Sequence, residues 1–279
     1  MPKSCFFAAL LCCAFSASEA SGAPPKLRLG EDVRPVRYHV DLTLIPDEDT
    51  FSGAIEIDLD IRKPSDVIWL NARSLTIDHA NLVAGGRTLK ATVEQGGEDF
   101  AGFVFSSAAP AGKAKLQVSY RGELSKKGTG GLFKLEEGGN WYIYSQFEAV
   151  DARRAFPCFD EPSFKVPWQL TLHIKKEHTA VSNTPVLSES DENGGRKKVV
   201  FAETKPLPSY LVAMAVGPLE FVDAGKVGKK QTPLRIVTPR AREARQNTRR
   251  RSPARSCNSL RTISVFHIPT RSSTASPFL

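Results

Sequence analysis

No run of eighteen apolar residues occurs anywhere in the chain, which excludes a membrane-spanning helix. Cysteine is scarce: of five, Cys5, Cys12 and Cys13 lie at the extreme amino terminus, and Cys158 with Cys257 are too few for a disulfide framework. An excess of either charge is also missing from the body, although the whole chain carries +8. Arg240–Leu279 holds nine Arg, no Lys and one acid (Glu243), so the first 239 residues keep 29 basic and 29 acidic side chains. A neutral body has no electrostatic reason to seek nucleic acid or anionic membrane. What remains is 279 residues with 41% apolar content, enough for one large domain or two small ones.

Lys3 precedes the apolar run Cys5–Phe15, and small residues from Ser16 to Ala23 offer cleavage positions after Ala17, Ala20 or Ala23. This is the pattern of a secretory signal peptide over 1–23, and it predicts an exported protein, periplasmic or extracellular. A lipoprotein anchor is disfavoured, because the residue before Cys12 or Cys13 is not Gly, Ala or Ser.

From Val36 the sequence alternates. Tyr38, Val40, Leu42 and Leu44 face one way, His39, Asp41 and Thr43 the other, and Phe51–Ile61 repeats the period of two. Such alternation predicts sheet with one face packed and one wet. Further strands are expected at 67–70, 76–83, 89–93, 102–105, 114–120, 142–146, 168–175, 198–203, 210–216 and 234–238, separated by Gly, Pro, Asn and Asp. No helical-period window of comparable quality lies between Leu27 and Pro239, so the class is all-β, an antiparallel sandwich or open barrel. His39, His79, His173 and His178 are scattered without metal-ligand spacing and read as polar-face residues. Neither an internal repeat nor a low-complexity tract stands out.

One stretch departs from this pattern. Tyr144–Pro162 interleaves Glu148, Asp151, Arg153, Arg154, Asp160 and Glu161 with Phe147, Phe156, Phe159 and two prolines. Aromatics among paired charges predict a partly buried ion-pair network beside a cleft.

Ser145-Gln146-Phe147-Glu148 followed by Asp151-Ala152-Arg153-Arg154-Ala155-Phe156-Pro157-Cys158-Phe159-Asp160-Glu161-Pro162 resembles the signature of the aminopeptidase N family, zinc exopeptidases of the gluzincin type. Val36–Leu42 with Phe51-Ser52-Gly53 is similar to the family's opening strands, and Pro208–Gly217 to its late strand. The resemblance covers about Leu27 to Pro239. It implies the family's N-terminal saddle-shaped β domain, which borders the active-site cleft. It further implies that Glu148 binds the free α-ammonium of a peptide substrate, a task suited to a carboxylate, and that Gln146 lines the pocket for the first side chain. Arg153, Arg154, Asp160 and Glu161 are expected to hold the cleft-side loop through ion pairs, and Cys158 to be a small buried residue.

The family's chemistry needs His-Glu-x-x-His and a later Glu for zinc, yet no His here is followed by Glu, and the Gly-x-Met-Glu-Asn segment is missing too. Zinc is therefore expected in a full-length parent and not in this chain, which lacks its catalytic domain and should not hydrolyse peptides. The alternative is a non-catalytic secreted β-sandwich binding module. Arg240–Leu279, rich in Arg and Ser, reads as a disordered basic tail, or as a nucleic-acid arm without stacking aromatics. A third reading fits better: one base out of frame from Arg245, synonymous codons allow an amphipathic helix and a Gly/Pro turn similar to the family's entry into its catalytic domain. Phe266–Arg271 with Ser272 alone then supplies Pro-Tyr-Pro-Tyr-Glu-Lys. The tail is thus expected to be a frameshifted start of that domain, and its arginines an accident of composition.

Overall fold

A computed structural model describes residues 22–229, 231–240 and 263–264. The leader over 1–23 and the tail over 240–279 fall almost wholly outside the described residues. The strands in chain order are β1 (Val33–Thr43), β2 (Thr50–Ile61), β3 (Ser65–Asn71), β4 (Leu75–Ala84), β5 (Arg87–Gln95), β6 (Phe100–Ala109), β7 (Gly112–Glu123) and β8 (Gly131–Glu137). They continue with β9 (Asn140–Gln146), β10 (Trp168–Lys175), β11 (Thr179–Ser182), β12 (Val186–Glu192), β13 (Arg196–Phe201), β14 (Met214–Gly217), β15 (Leu219–Val227), β16 (Thr232–Pro239) and the two-residue β17 (Ile263–Ser264). Among the described residues the only helical pieces are single 3₁₀ turns at Ala152–Arg154 and Ser209–Leu211.

Ten strands form an open sheet in the order β12-β13-β10-β1-β2-β7-β4-β5-β6-β3, and four form a second sheet, β11-β14-β9-β8. The two enclose one core. In β1 the side chains of Tyr38, Val40 and Leu42 are buried, as are Ile55, Ile57 and Leu59 of β2 and Leu116, Val118 and Tyr120 of β7. From the other layer come Leu132, Ile143, Met214 and Val216. Each fully buried aliphatic side chain contributes roughly 1.5–3 kcal/mol of transfer free energy, which explains why the strict alternation of β1 and β2 decides their register. Gly53 belongs to this interlock: a Cβ there would stand 2.6 Å from the Tyr120 ring and 2.8 Å from Leu42. Tyr38 stacks on Trp168 at 3.9 Å, tying β1 to β10.

The all-β expectation holds, with the sheets layered and not closed into a barrel. One part needs correction. The sheets are not purely antiparallel, because β1 and β10 run parallel with Tyr38 opposite Trp168. Direction between strands so far apart in sequence leaves no mark on alternation. Five strands were also missed: β8, β11, β12, β15 and the two-residue β17. β12 and β15 expose nearly every side chain, so neither shows an apolar period. The strand expected at 210–216 is a 3₁₀ turn over Ser209–Leu211 followed by β14.

Candidate functional site

The loop between β9 and β10 is held against the ends of β3 and β8. Phe147 is fully buried and meets Phe156 edge-on at 5.5 Å, while Phe156 leans on Trp168 at 5.3 Å. Aspartate 160 is the loop's polar centre. Its Oδ2 accepts Arg153 Nε–H at 2.9 Å, its Oδ1 accepts the Ser209 hydroxyl at 2.6 Å, and its backbone N–H donates to Asn71 Oδ1 at 2.9 Å. Asn71 also exchanges both backbone hydrogen bonds with Cys158, at 2.9 and 3.0 Å. The Tyr38 hydroxyl accepts the Phe159 N–H at 3.0 Å. A buried carboxylate is tolerable only when paired and fully hydrogen-bonded, and Asp160 is both.

The expected ion-pair network is therefore present, with roles now distinct. Arg153 and Asp160 form a buried pair, Arg154 pairs with Asp151 at 2.7 Å near the surface, and Glu161 accepts the Leu29 N–H at 2.6 Å. Cys158 is fully buried, and burial with the nearby Asp160 pushes its thiol well above the ordinary range, so it is an inert packing group. Asn71, Ser209 and Tyr38 were not singled out from sequence; lone polar residues in or beside strands give no signal of a partner so distant in the chain.

Gln146 ends β9 opposite Gly131, and both Gln146 and Glu148 are exposed on either side of the anchored Phe147. β9 ends at Gln146, and Phe147, buried in the core, anchors the start of the turn that carries Glu148. The loop's ion pairs go to Arg153 and Arg154, and among the described residues Glu148 takes part in none. Behind Gln146 on β9 lie Tyr144 and Tyr142, stacked at 6.3 Å, with Phe133 at 5.8 Å from Tyr144. Burial raises the Tyr144 phenol to about 12, so it remains a neutral donor at ordinary pH. These rings are packed inward, Tyr142 fully buried with Leu219 and Val237, and they anchor the strand that ends at the exposed Gln146. Two glycines let the start of β8 pass close under the Asp151–Arg154 turn: a Cβ on Gly130 would meet Asp151 Oδ2 at 2.7 Å, and one on Gly131, at φ +78°, would meet Arg154 Cβ at 2.9 Å.

Residues 34–211 match the description of the Peptidase M1 N-terminal domain. The chain belongs to the peptidase M1 family. It is 35% identical over 208 residues to aminopeptidase M1-A of Oryza sativa subsp. japonica, covering 71% of this chain and 23% of the relative. To the puromycin-sensitive aminopeptidase of Caenorhabditis elegans it is 33% identical over 219 residues, covering 76% of this chain and 23% of the relative. To aminopeptidase N of Acetobacter pasteurianus it is 33% identical over 230 residues, 81% of this chain and 62% of the relative. The chain thus spans under two thirds of the length of each. The sheets and the β9–β10 loop described above are the M1 N-terminal domain.

The zinc that the family name implies finds no fit among the described residues: no three His, Cys, Asp or Glu side chains converge on a point that could hold a metal ion. The nearest approach is Asp41–His173–Glu192, where Nε2 faces Asp41 at 2.9 Å and Nδ1 faces Glu192 at 2.8 Å. Both ring nitrogens are engaged on opposite sides, and no lone pair is left for a cation.

Proposed function

We propose that this chain is the substrate-side β domain of a zinc aminopeptidase that removes N-terminal residues from peptides. The observation that carries this is the position of Glu148: an exposed carboxylate without an ion-pair partner among the described residues, just past the end of β9 on a loop held by the Arg153–Asp160 pair. A carboxylate held so accepts charge-assisted hydrogen bonds from an α-ammonium, and a fixed distance from that ammonium sets a one-residue register of cleavage. Gln146, one step back toward Tyr144, contacts the first side chain. The metal ligands and the general base belong to polypeptide beyond the matched region, since His-Glu-x-x-His does not occur in the sequence. By itself the chain turns over nothing.

The same reading assigns Arg240–Leu279 to a shifted frame beginning near Arg245, and residues 1–23 to an export signal removed from the mature protein. Sequencing the gene through codon 245 in both frames tests the first, and mass spectrometry of the mature amino terminus tests the second. A shifted frame without His-Glu-x-x-His overturns the first, and an intact Met1 in exported material the second.

Recognition itself is tested on the chain as encoded. A short peptide with a free amino terminus is compared with its N-acetylated form by NMR, using wild type and Glu148→Gln. The free peptide is expected to shift amides around 144–150 and to bind more tightly than the acetylated one, and E148Q to abolish that preference. Equal binding of the two forms by wild type removes the assignment of Glu148.

A further inference from the structure

The outward face of the ten-stranded sheet carries a depression of about 440 Å³, away from the β9–β10 loop. Five adjacent strands build it. One cross-strand row reads Gln169, His39, Glu56, Gln117, Asn81; the next reads Thr171, Asp41, Ala54, Ser119, His79. The floor is made by the two smallest side chains, Ala54 and Ser119, in the middle of the second row. Longer groups stand around them, and His39, Asn81, Gln169 and Thr171 are half-buried although they lie on the wet face.

The fifth wall depends on an irregularity in β4. The β4–β7 register slips between Ile77 and His79, and the extra residue, Asp78, is pinned sideways by Arg121, whose Nε and Nη2 donate to its carboxylate at 3.1 and 2.9 Å. That bulge brings His79 opposite Ser119. A bulge that re-aims one side chain is a common device beside binding sites.

The charges in the depression are already neutralised. Glu56 accepts Lys115 Nζ at 2.6 Å and the Gln117 amide at 3.0 Å, and Asp41 faces His173 at 2.9 Å. Among the described residues His39, His79, Asn81, Ser119, Gln169 and Thr171 make no side-chain hydrogen bond. What remains is a dish lined by amide, hydroxyl and imidazole groups, which supply both donors and acceptors. Two carboxylates disfavour an anion, and each already faces a basic partner, Lys115 or His173, which lessens their pull on a cation. Mixed donors and acceptors on a concave floor of this size match adjacent hydroxyl groups on a ring.

We propose that this dish binds an uncharged polyhydroxy ligand, a mono- or disaccharide unit, independently of peptide recognition at Glu148. The test uses the 279-residue chain and a panel of neutral disaccharides: maltose, cellobiose, lactose and sucrose. Amide chemical shifts and calorimetry are expected to show saturable binding in the millimolar range by at least one, with shifts confined to β1, β2, β4, β7 and β10. Ala54→Leu fills the exposed floor without touching the core and is expected to abolish binding. His39→Ala adds no bulk and is expected to weaken it about three- to tenfold. No saturable binding by any of the four, binding that survives Ala54→Leu, or a preference for inorganic sulfate at the same amides each overturns the assignment. Because E148Q leaves this face unchanged, sugar binding by that variant at wild-type strength separates the two sites.

Discussion

At the scale of single residues, the loop rests on Asp160, and its partners show how firmly. Asp160→Ala removes the carboxylate acceptor for Arg153 and Ser209 and leaves a guanidinium whose side chain is 10% exposed with only the longer Asp99 contact at 3.6 Å and the Asp160 carbonyl. Breaking one side of a buried pair costs about 3–5 kcal/mol, and urea denaturation is expected to show a loss of that order. A loss below about 1 kcal/mol would mean that water reaches Arg153 freely. Glu148→Gln is the contrasting case. The side chain is exposed and unpaired among the described residues, so its stability is expected to stay within about 0.5 kcal/mol of wild type while peptide selectivity changes.

Elements add constraints that no residue shows alone. The start of β8 lies under the Asp151–Arg154 turn, and Gly131 combines φ +78° with a Cβ position 2.9 Å from Arg154 Cβ. Gly131→Ala is expected to cost roughly 1–3 kcal/mol, read as a lower urea midpoint, and to disturb Gln146, its partner across β8 and β9. At the far edge of the large sheet, His173 of β10 joins Asp41 of β1 to Glu192 of β12. Burial pulls its pKa down, but the two carboxylates outweigh that and leave it raised above 6.5. Lys198, the cross-strand neighbour of His173 on β13, and Arg196 opposite Glu192 are the cations of this edge. A raised folded pKa means the clamp stabilises fully below the unfolded value and fades as pH rises through the folded one. Melting temperature against pH should therefore show wild type above His173→Gln in mildly acidic buffer, with the gap closing above neutrality. A constant gap would assign His173 to packing alone.

For the whole molecule the exposed apolar residues are the telling feature. Hairpin β15–β16 buries little beyond Leu219 and Val237 against Tyr142 and Ala215, while Phe221 and Val222 remain 43% and 51% exposed. Consecutive residues point to opposite faces, so both faces of the hairpin are uncovered. A small sheet with uncovered apolar faces is an association hazard. Sedimentation is expected to show the chain self-associating, and Phe221→Ser with Val222→Ser to reduce it without lowering the melting temperature. A monodisperse wild-type chain would contradict this. The absence of turnover is a second expectation at this scale: aminoacyl-nitroanilide with added zinc should give no product, because His-Glu-x-x-His is missing from the sequence.

Much of this could be read from the amino acids alone, for a physical reason. Strands with one wet and one dry face write a period of two into the chain, so β1, β2, β7 and β10 are visible as Tyr38-x-Val40-x-Leu42 or Leu170-x-Leu172-x-Ile174. The β9–β10 segment is visible too, since charges among aromatics have no place on an ordinary exposed loop. Strands without a dry face, such as β12 and β15, leave no such record. Nor does the parallel pairing of β1 with β10, the union of Asp160 with Asn71 and Ser209, or the bulge that turns His79 toward Ser119. Those depend on which distant segments meet. A one-dimensional pattern states what each residue avoids or seeks, water or its absence, but not which partner satisfies it; that choice is made only when the two sheets close over a common core.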